Sequence, residues 1–198
     1  SDARALLITG AGEKAFCAGA DISEFMGRNI VEAMAATEMG QNTFAKLDSL
    51  AIPSVAVING YALGGGCELA IATDLRIASE GSRFGIPVAR LGITVGHQEM
   101  KGLVNLVGKG NAMYILLSGR LLTTEEALRI GLVNQVLPKA ELKDYTYRLA
   151  NDIANLAPLS HKVNKQTMGQ VLAKPSLGDL TPEEAILPLT QFDTQDYQ

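Results

Sequence analysis

The chain is poor in the residues that mark several classes of protein. It has no tryptophan, two histidines and two cysteines in 198 residues, and aromatic residues make up only 5% of it. Two cysteines cannot supply the disulfide framework on which small secreted domains depend, so we expect Cys17 and Cys67 to be free thiols in a reducing, cytoplasmic setting. No apolar run approaches the length of about 20 residues that a membrane-spanning helix needs.

Positive charge is scarce as well. Lysine and arginine number 17 against 21 acidic residues, the net charge is −4, and there is no basic run of five or more residues. Surfaces that bind nucleic acid usually need clustered basic side chains, so we expect no nucleic-acid partner. The chain does contain 47% hydrophobic residues and 20 glycines. That composition is sufficient for one domain with a substantial core.

Short apolar runs alternate with helical patterns along the chain. Buried strands are predicted at Ala5–Thr9, Pro53–Ile58 and Asp74–Ala78, with a short strand at Arg83–Phe84. Helices are predicted at Val31–Leu50, Cys67–Ala72, Gln98–Leu106, Asn111–Leu117, Thr124–Ile130, Lys139–Asn155 and Leu159–Leu172. This alternation predicts an α/β fold whose parallel sheet is covered on both faces.

The remaining segments carry weaker signals. Residues Glu13–Ala20 are predicted to form a loop of small residues, and Asp21–Met26 a single helical turn. The tail Lys174–Gln198 holds several prolines and acidic residues and is predicted to be loosely ordered.

Two glycine-rich segments follow predicted strands, at residues 10–20 and 59–70. Glycine lets the backbone approach a ligand closely, and the start of a helix offers unpaired N–H groups with a partial positive charge. Such a turn stabilises an anion that develops during a reaction. The alternative is a tight turn that serves packing only. Neither segment has the spacing of a Walker phosphate loop or of a dinucleotide-binding fingerprint.

These two segments carry a family resemblance. The sequences ITGAGEKAFCAGADI (residues 8–22) and NGYALGGGCELA (residues 59–70) resemble the two signature motifs of the crotonase (enoyl-CoA hydratase/isomerase) superfamily. A third stretch, Gly119-Arg120 followed by EALRIGLV (residues 126–133), also matches. The resemblance runs from about Ala5 to about Met168 and is specific for the superfamily, much less so for the reaction.

The resemblance implies a crotonase-like α/β fold of repeated ββα turns with a C-terminal helical region. It implies a core over residues 1–138 and helices over residues 139–198 that assemble a homotrimer or a dimer of trimers. Members of the family carry further strands before the segment that matches Ala5, and they continue beyond residues 191–196. We therefore expect the N-terminal strands of the core to be missing and the helical region to be truncated at its C-terminus.

The resemblance also implies an acyl-CoA substrate, with no metal and no cofactor other than the coenzyme A that the substrate carries. The backbone N–H groups of Ala20 and Gly65 match the oxyanion hole, which binds the thioester oxygen. Further positions that match the substrate-binding and CoA-binding segments are Lys14, Ala18, Asp21, Ile22 and Gly64. Lys14 is expected to meet a phosphate of CoA, the alternative being an exposed lysine in a polar loop.

The glutamates separate this chain from a typical hydratase of the family. Glu68 matches the first catalytic glutamate, although an acid at a helix start can also serve only to complement the helix dipole. The second glutamate normally follows the proline of a Phe-Gly-x-Pro-Glu stretch, where this chain has Val88, which cannot transfer a proton. His97 and Glu99 replace small residues in the next loop, so each is a candidate for a relocated acid or base. Their alternatives are an exposed histidine and a first-turn acid.

Several functions share these features. The leading interpretation is an acyl-CoA enzyme of the enoyl-CoA hydratase/isomerase type. An acyl-CoA decarboxylase or thioester hydrolase needs the same oxyanion hole with different proton donors. A catalytically weak acyl-CoA-binding or scaffold protein would keep the fold after losing one carboxylate. The intact Glu68 and both glycine motifs argue against this last alternative.

Overall fold

A computed structural model describes residues 2–21, 23, 29–174, 176–194 and 196. The strands are β1 (Leu6–Thr9), β2 (Ala15–Cys17), β3 (Ser54–Ile58), β4 (Tyr61–Leu63), β5 (Leu75–Ser79), β6 (Arg83–Gly85) and β7 (Gln135–Leu137). The helices are α1 (Ile30–Asp48), α2 (Gly65–Ile71), α3 (His97–Ser118), α4 (Thr124–Arg129), α5 (Lys139–Ala154), α6 (Pro158–Ala173) and α7 (Pro182–Ile186). In this described part, no helix is long and apolar enough to cross a membrane.

The strands form two parallel sheets. One is four-stranded in the order β1-β3-β5-β7, and the other is three-stranded in the order β2-β4-β6. In each ββα turn, the first strand joins the larger sheet, the second joins the smaller sheet, and a helix follows. The turns β1-β2-α1, β3-β4-α2 and β5-β6-α3 repeat this pattern, which confirms the predicted α/β fold of ββα turns.

Strand β3 is an interior strand of the larger sheet, and all its residues are buried. Because side chains alternate between the two faces of a strand, Ala56 and Ile58 pack into the main core with α2 and α3. Val55 and Val57 point to the opposite face, where they join a second cluster with Leu142 of α5. Both faces of the larger sheet are therefore covered, as the continuous apolar run of β3 predicts.

Some elements differ from the predictions. The loop predicted over Glu13–Ala20 is wrong at β2, and β4 and β7 were not predicted as strands. These strands are three residues long and pair with segments far away in the chain, so local pattern does not reveal them. By contrast, the two helices predicted at Gln98–Leu106 and Asn111–Leu117 both form within α3, where the non-helical backbone of Gly108 marks a kink between them.

The C-terminal tail is more regular than predicted. After residue 174 the described chain forms the 3₁₀ turn Leu177–Asp179, helix α7 and the 3₁₀ segment Leu187–Asp193. The helical turn predicted for Asp21–Met26 lies mostly outside the described residues.

Candidate active site

The two glycine-rich segments meet where β2 and β4 end. These strands pair in parallel, so the chain leaves both at the same edge of the smaller sheet. Gly19 has a φ of +96° and Gly64 a φ of +52°, conformations that side chains with a Cβ rarely adopt. A Cβ on Gly19 would lie 2.9 Å from the carbonyl oxygen of Leu63. Glycine at this position therefore lets the two segments touch.

The contact brings two backbone N–H groups to one small space. Gly65 is the first residue of α2, and a Cβ placed on it would lie 3.8 Å from the backbone nitrogen of Ala20. Among the backbone hydrogen bonds that the described residues make outside helices and strands, none is donated by Ala20 or Gly65. Within the described residues, neither N–H group is therefore engaged by such a bond, as the predicted role of the pair as oxyanion donors requires.

Glu68 borders the same space. A Cβ on Gly65 would lie 4.0 Å from Glu68 Oε2, and the Glu68 side chain is half-buried. Burial, followed by the negative charge of Glu99, raises the pKa of Glu68 to about 7. A carboxyl group with this pKa is present in both protonation states near neutral pH, so it is suited both to accept and to donate a proton.

The candidates at the start of α3 differ in their surroundings. The side chain of His97, the first residue of the helix, is exposed. Glu99 is half-buried, and its Oε2 accepts a hydrogen bond from Nε2 of Gln41 on α1 at 3.3 Å. Of the described residues, Glu99 is the one whose charge raises the pKa of Glu68. The effect of its charge on Glu68 thus favours Glu99 over His97 as the relocated acid or base, and the role of His97 stays a prediction. Gln41 carries no sequence signal of its own, since a glutamine on a helix is common.

Val88 begins a 3₁₀ turn that extends to Leu91. Its half-buried side chain packs against the main core. The position at which the family resemblance implies a second carboxylate is therefore part of the apolar packing here.

The residues predicted to bind CoA include positions on both glycine-rich segments. Lys14 and Ala18 are exposed on either side of β2. The carboxylate of Asp21 accepts hydrogen bonds from the backbone N–H and the hydroxyl of Ser23, which lower its pKa. Ile22 lies outside the described residues. The binding roles of all these residues, and of Gly64, stay predictions.

Comparisons with known proteins agree with this geometry. A family model described as enoyl-CoA hydratase/isomerase matches residues 1–194. The short-chain-enoyl-CoA hydratase of Clostridium acetobutylicum is 44% identical over 86% of this chain and 65% of its own length. The (E)-benzylidenesuccinyl-CoA hydratase of Thauera aromatica is 39% identical over 94% of this chain and 70% of its own length.

A solved structure has the same fold. The crystal structure of an enoyl-CoA hydratase/carnithine racemase from Magnetospirillum magneticum has a TM-score of 0.93 and 29% identity, covering 98% of this chain and 72% of that chain. The chain thus spans only part of these proteins, including 65% of the clostridial hydratase.

Proposed function

Since the chain belongs to the enoyl-CoA hydratase/isomerase family, we propose that its protein adds water to the double bond of a 2-enoyl-CoA thioester and catalyses the reverse elimination. The observation that carries this proposal is the meeting of the Ala20 and Gly65 N–H groups with the Glu68 carboxyl group around one space. Those groups are what enolate chemistry on a thioester requires: two donors for the oxygen and one group for the α-proton.

The proposed reaction passes through an enolate of the thioester. Addition of water oxygen to the β-carbon moves the electron pair of the double bond towards the thioester carbonyl, whose oxygen becomes negative. The two N–H groups would stabilise that charge. Protonated Glu68 would then deliver a proton to the α-carbon, and in the reverse direction ionised Glu68 would remove it. A pKa of about 7 allows both directions near neutral pH.

The names of the relatives support hydration over decarboxylation or thioester hydrolysis. Both relatives described above are called hydratases, although one acts on short-chain enoyl-CoA and the other on (E)-benzylidenesuccinyl-CoA. The common element of these names is the CoA thioester and the addition of water. We therefore propose the reaction class and leave the acyl group open.

We expect the purified protein to hydrate crotonyl-CoA and to exchange the α-protons of butyryl-CoA for deuterium in heavy water. Mass spectrometry reads the first reaction as the gain of one water and the second as the gain of deuterium. Exchange without hydration of any enoyl-CoA in a substrate panel would contradict hydration but keep the enolate site. Absence of both reactions, with CoA thioester binding intact, would overturn the proposal, as would release of free CoA or carbon dioxide as the main reaction.

We also propose that the complete protein forms a trimer or a dimer of trimers through the helices of residues 139–198. In support, large apolar side chains are exposed on α6 and the following helices, among them Met168, Val171, Leu172, Ile186 and Leu189. Sedimentation velocity at micromolar concentration is expected to show a multiple of three subunits, and a monomer would contradict this. The free thiols of Cys17 and Cys67 support a cytoplasmic location, which cell fractionation tests.

A further inference from the structure

Hydration needs two proton transfers, whereas Glu68 and Val88 together provide for one. Water must lose a proton as its oxygen attacks the β-carbon, while the α-carbon must gain one. Glu68 is suited to the second transfer, and Val88 is packed against the core and has no proton to exchange. If the proposed function holds, another group must act as the base.

The packing of α2 against α3 places a second carboxylate near Glu68. A Cβ on Gly102 of α3 would lie 3.4 Å from Cγ2 of Ile71 on α2, so the two helices touch there. Ile71 lies one turn after Glu68, and Gly102 lies one turn after Glu99. Residues one turn apart share a helix face, so both glutamates lie on the faces through which the helices meet.

A third helix holds Glu99 in place. The side chain of Glu99 folds back over Gly96, the residue that precedes α3, where an added Cβ would collide with Glu99 Oε2. The same Cβ would lie 3.0 Å from Nε2 of Gln41. The missing side chain at Gly96 therefore leaves room for the Gln41–Glu99 hydrogen bond, which joins α1 to α3.

We propose that Glu99 is the second acid–base group of the site and that Gln41 is the residue that positions it. The carboxylate of Glu99 accepts a proton from water while the water oxygen bonds to the β-carbon. The electron pair of the double bond moves to the α-carbon, which takes the proton of Glu68. One water is added, Glu99 is left protonated and Glu68 ionised, and transfer of that proton through solvent restores the starting state.

The electrostatics of Glu68 agree with this arrangement. The elements packed against α2 also carry the titratable side chains of Cys17 on β2, Tyr61 on β4 and His97 on α3. Among the described residues, the charge that acts on Glu68 is that of Glu99. The negative charge of Glu99 favours the protonated form of Glu68, which is the form that hydration needs at the α-carbon.

The Glu99→Gln variant separates this proposal from the function on which it rests. We expect kcat for crotonyl-CoA hydration to fall by about 10²-fold with KM little changed. Deuterium exchange into butyryl-CoA needs only one base, so it is expected to stay within a few-fold of wild type. Exchange requires ionised Glu68, and loss of the Glu99 charge is expected to move the acid limb of its pH profile to lower pH. Glu141→Gln, which removes an exposed first-turn acid from α5, is the matched control and is expected to change neither reaction.

Two further variants separate the charge of Glu99 from the position of its carboxylate and test His97. Glu99→Asp keeps the charge but withdraws the carboxylate, so hydration is expected to fall while the acid limb of exchange stays in place. His97→Ala tests the other candidate at the start of α3. Wild-type hydration in Glu99→Gln with an unmoved acid limb would overturn the role of Glu99, as would loss of hydration in His97→Ala alone. If the wild-type protein neither hydrates nor exchanges, the proposed function itself fails.

Gln41 is tested through its dependence on Glu99. Gln41→Leu removes the donor at similar volume and is expected to lower kcat for hydration about 10-fold with KM unchanged. In the Glu99→Gln background, the same change is expected to have no further effect on kcat, because residues that act together are not additive. Gln98→Leu, the same substitution at the exposed residue before Glu99, is the control. Losses that multiply in the double variant would show that Gln41 does not act through Glu99.

Discussion

The Glu68→Gln variant is expected to lower kcat by about 10³–10⁴-fold for crotonyl-CoA hydration and, unlike Glu99→Gln, for α-proton exchange as well. Glutamine keeps nearly the same shape and can still donate a hydrogen bond, but it cannot take or give a proton. Both reactions pass through proton transfer at the α-carbon, which we assign to Glu68. Binding of acetoacetyl-CoA, measured by calorimetry, is expected to persist, so that the loss can be assigned to chemistry.

The pH profile of α-proton exchange by the wild-type protein tests the same role of Glu68. Because the pKa of Glu68 is raised to about 7 by burial and by the charge of Glu99, exchange is expected to decline as the pH falls below about 7. Exchange that stays constant from pH 5 to pH 8, or a Glu68→Gln variant that keeps a tenth of wild-type exchange, would show that another group removes the α-proton.

The same substitution is expected to stabilise the fold at high pH. The pKa of Glu68 is raised in the folded protein from 4.5 to about 7, so the folded state binds a proton more tightly than the unfolded state. Wild-type stability from this group is complete below about pH 4.5 and is lost as the pH rises through about 7. At about pH 8, the free energy of unfolding of Glu68→Gln is therefore expected to exceed that of wild type by roughly 3 kcal/mol.

Urea denaturation at two pH values checks this expectation. The difference between Glu68→Gln and wild type is expected to shrink to less than about 1 kcal/mol near pH 5, because the wild-type carboxyl group is then largely protonated in the folded state. A difference of the same size at both pH values would mean that the packing of the amide, not the ionisation of Glu68, changes stability.

The Gly65→Pro variant is expected to lower kcat for hydration by about 10²–10³-fold, because it removes one of the two N–H donors of the proposed oxyanion hole. Gly65 is the first residue of α2. Proline is well tolerated at this position of a helix, where its missing N–H leaves no helical hydrogen bond unmade. The change therefore targets the donor with little effect on the helix, which circular dichroism and thermal unfolding verify.

Gly65→Ala is the matched control for the added Cβ. That atom would lie 3.8 Å or more from its neighbours, at ordinary contact distance, and the N–H is retained. The ratio of kcat between the alanine and proline variants isolates the contribution of the N–H group. If both variants lose the same activity, the added carbon atom blocks the thioester and the donor role of Gly65 is not supported.

The position of the second carboxylate could not be predicted from the sequence alone. The sequence identified Val88 as a departure and offered His97, with Glu99 as a second candidate, as the relocated acid or base, since both lie in the same loop and both can exchange protons. It had no means to separate them, because residues two apart on a helix point in different directions. The packing of α3 against α2 gives these two residues different surroundings. His97 is exposed, whereas Glu99 is half-buried and its charge raises the pKa of Glu68.

The sequence by itself predicted the longer strands and helices, because apolar periodicity is a local signal. The ββα turns and the paired N–H groups of Ala20 and Gly65 were implied only by the family resemblance of the two glycine-rich segments. The structure alone supplied the three-residue strands β2 and β4, whose pairing brings those two N–H groups together across about 45 residues of intervening chain. It alone revealed the Gln41–Glu99 hydrogen bond between α1 and α3 and the raised pKa of Glu68. Hydrogen bonds between distant segments, burial and the distance between two charges depend on the packed tertiary structure, and no local pattern encodes them.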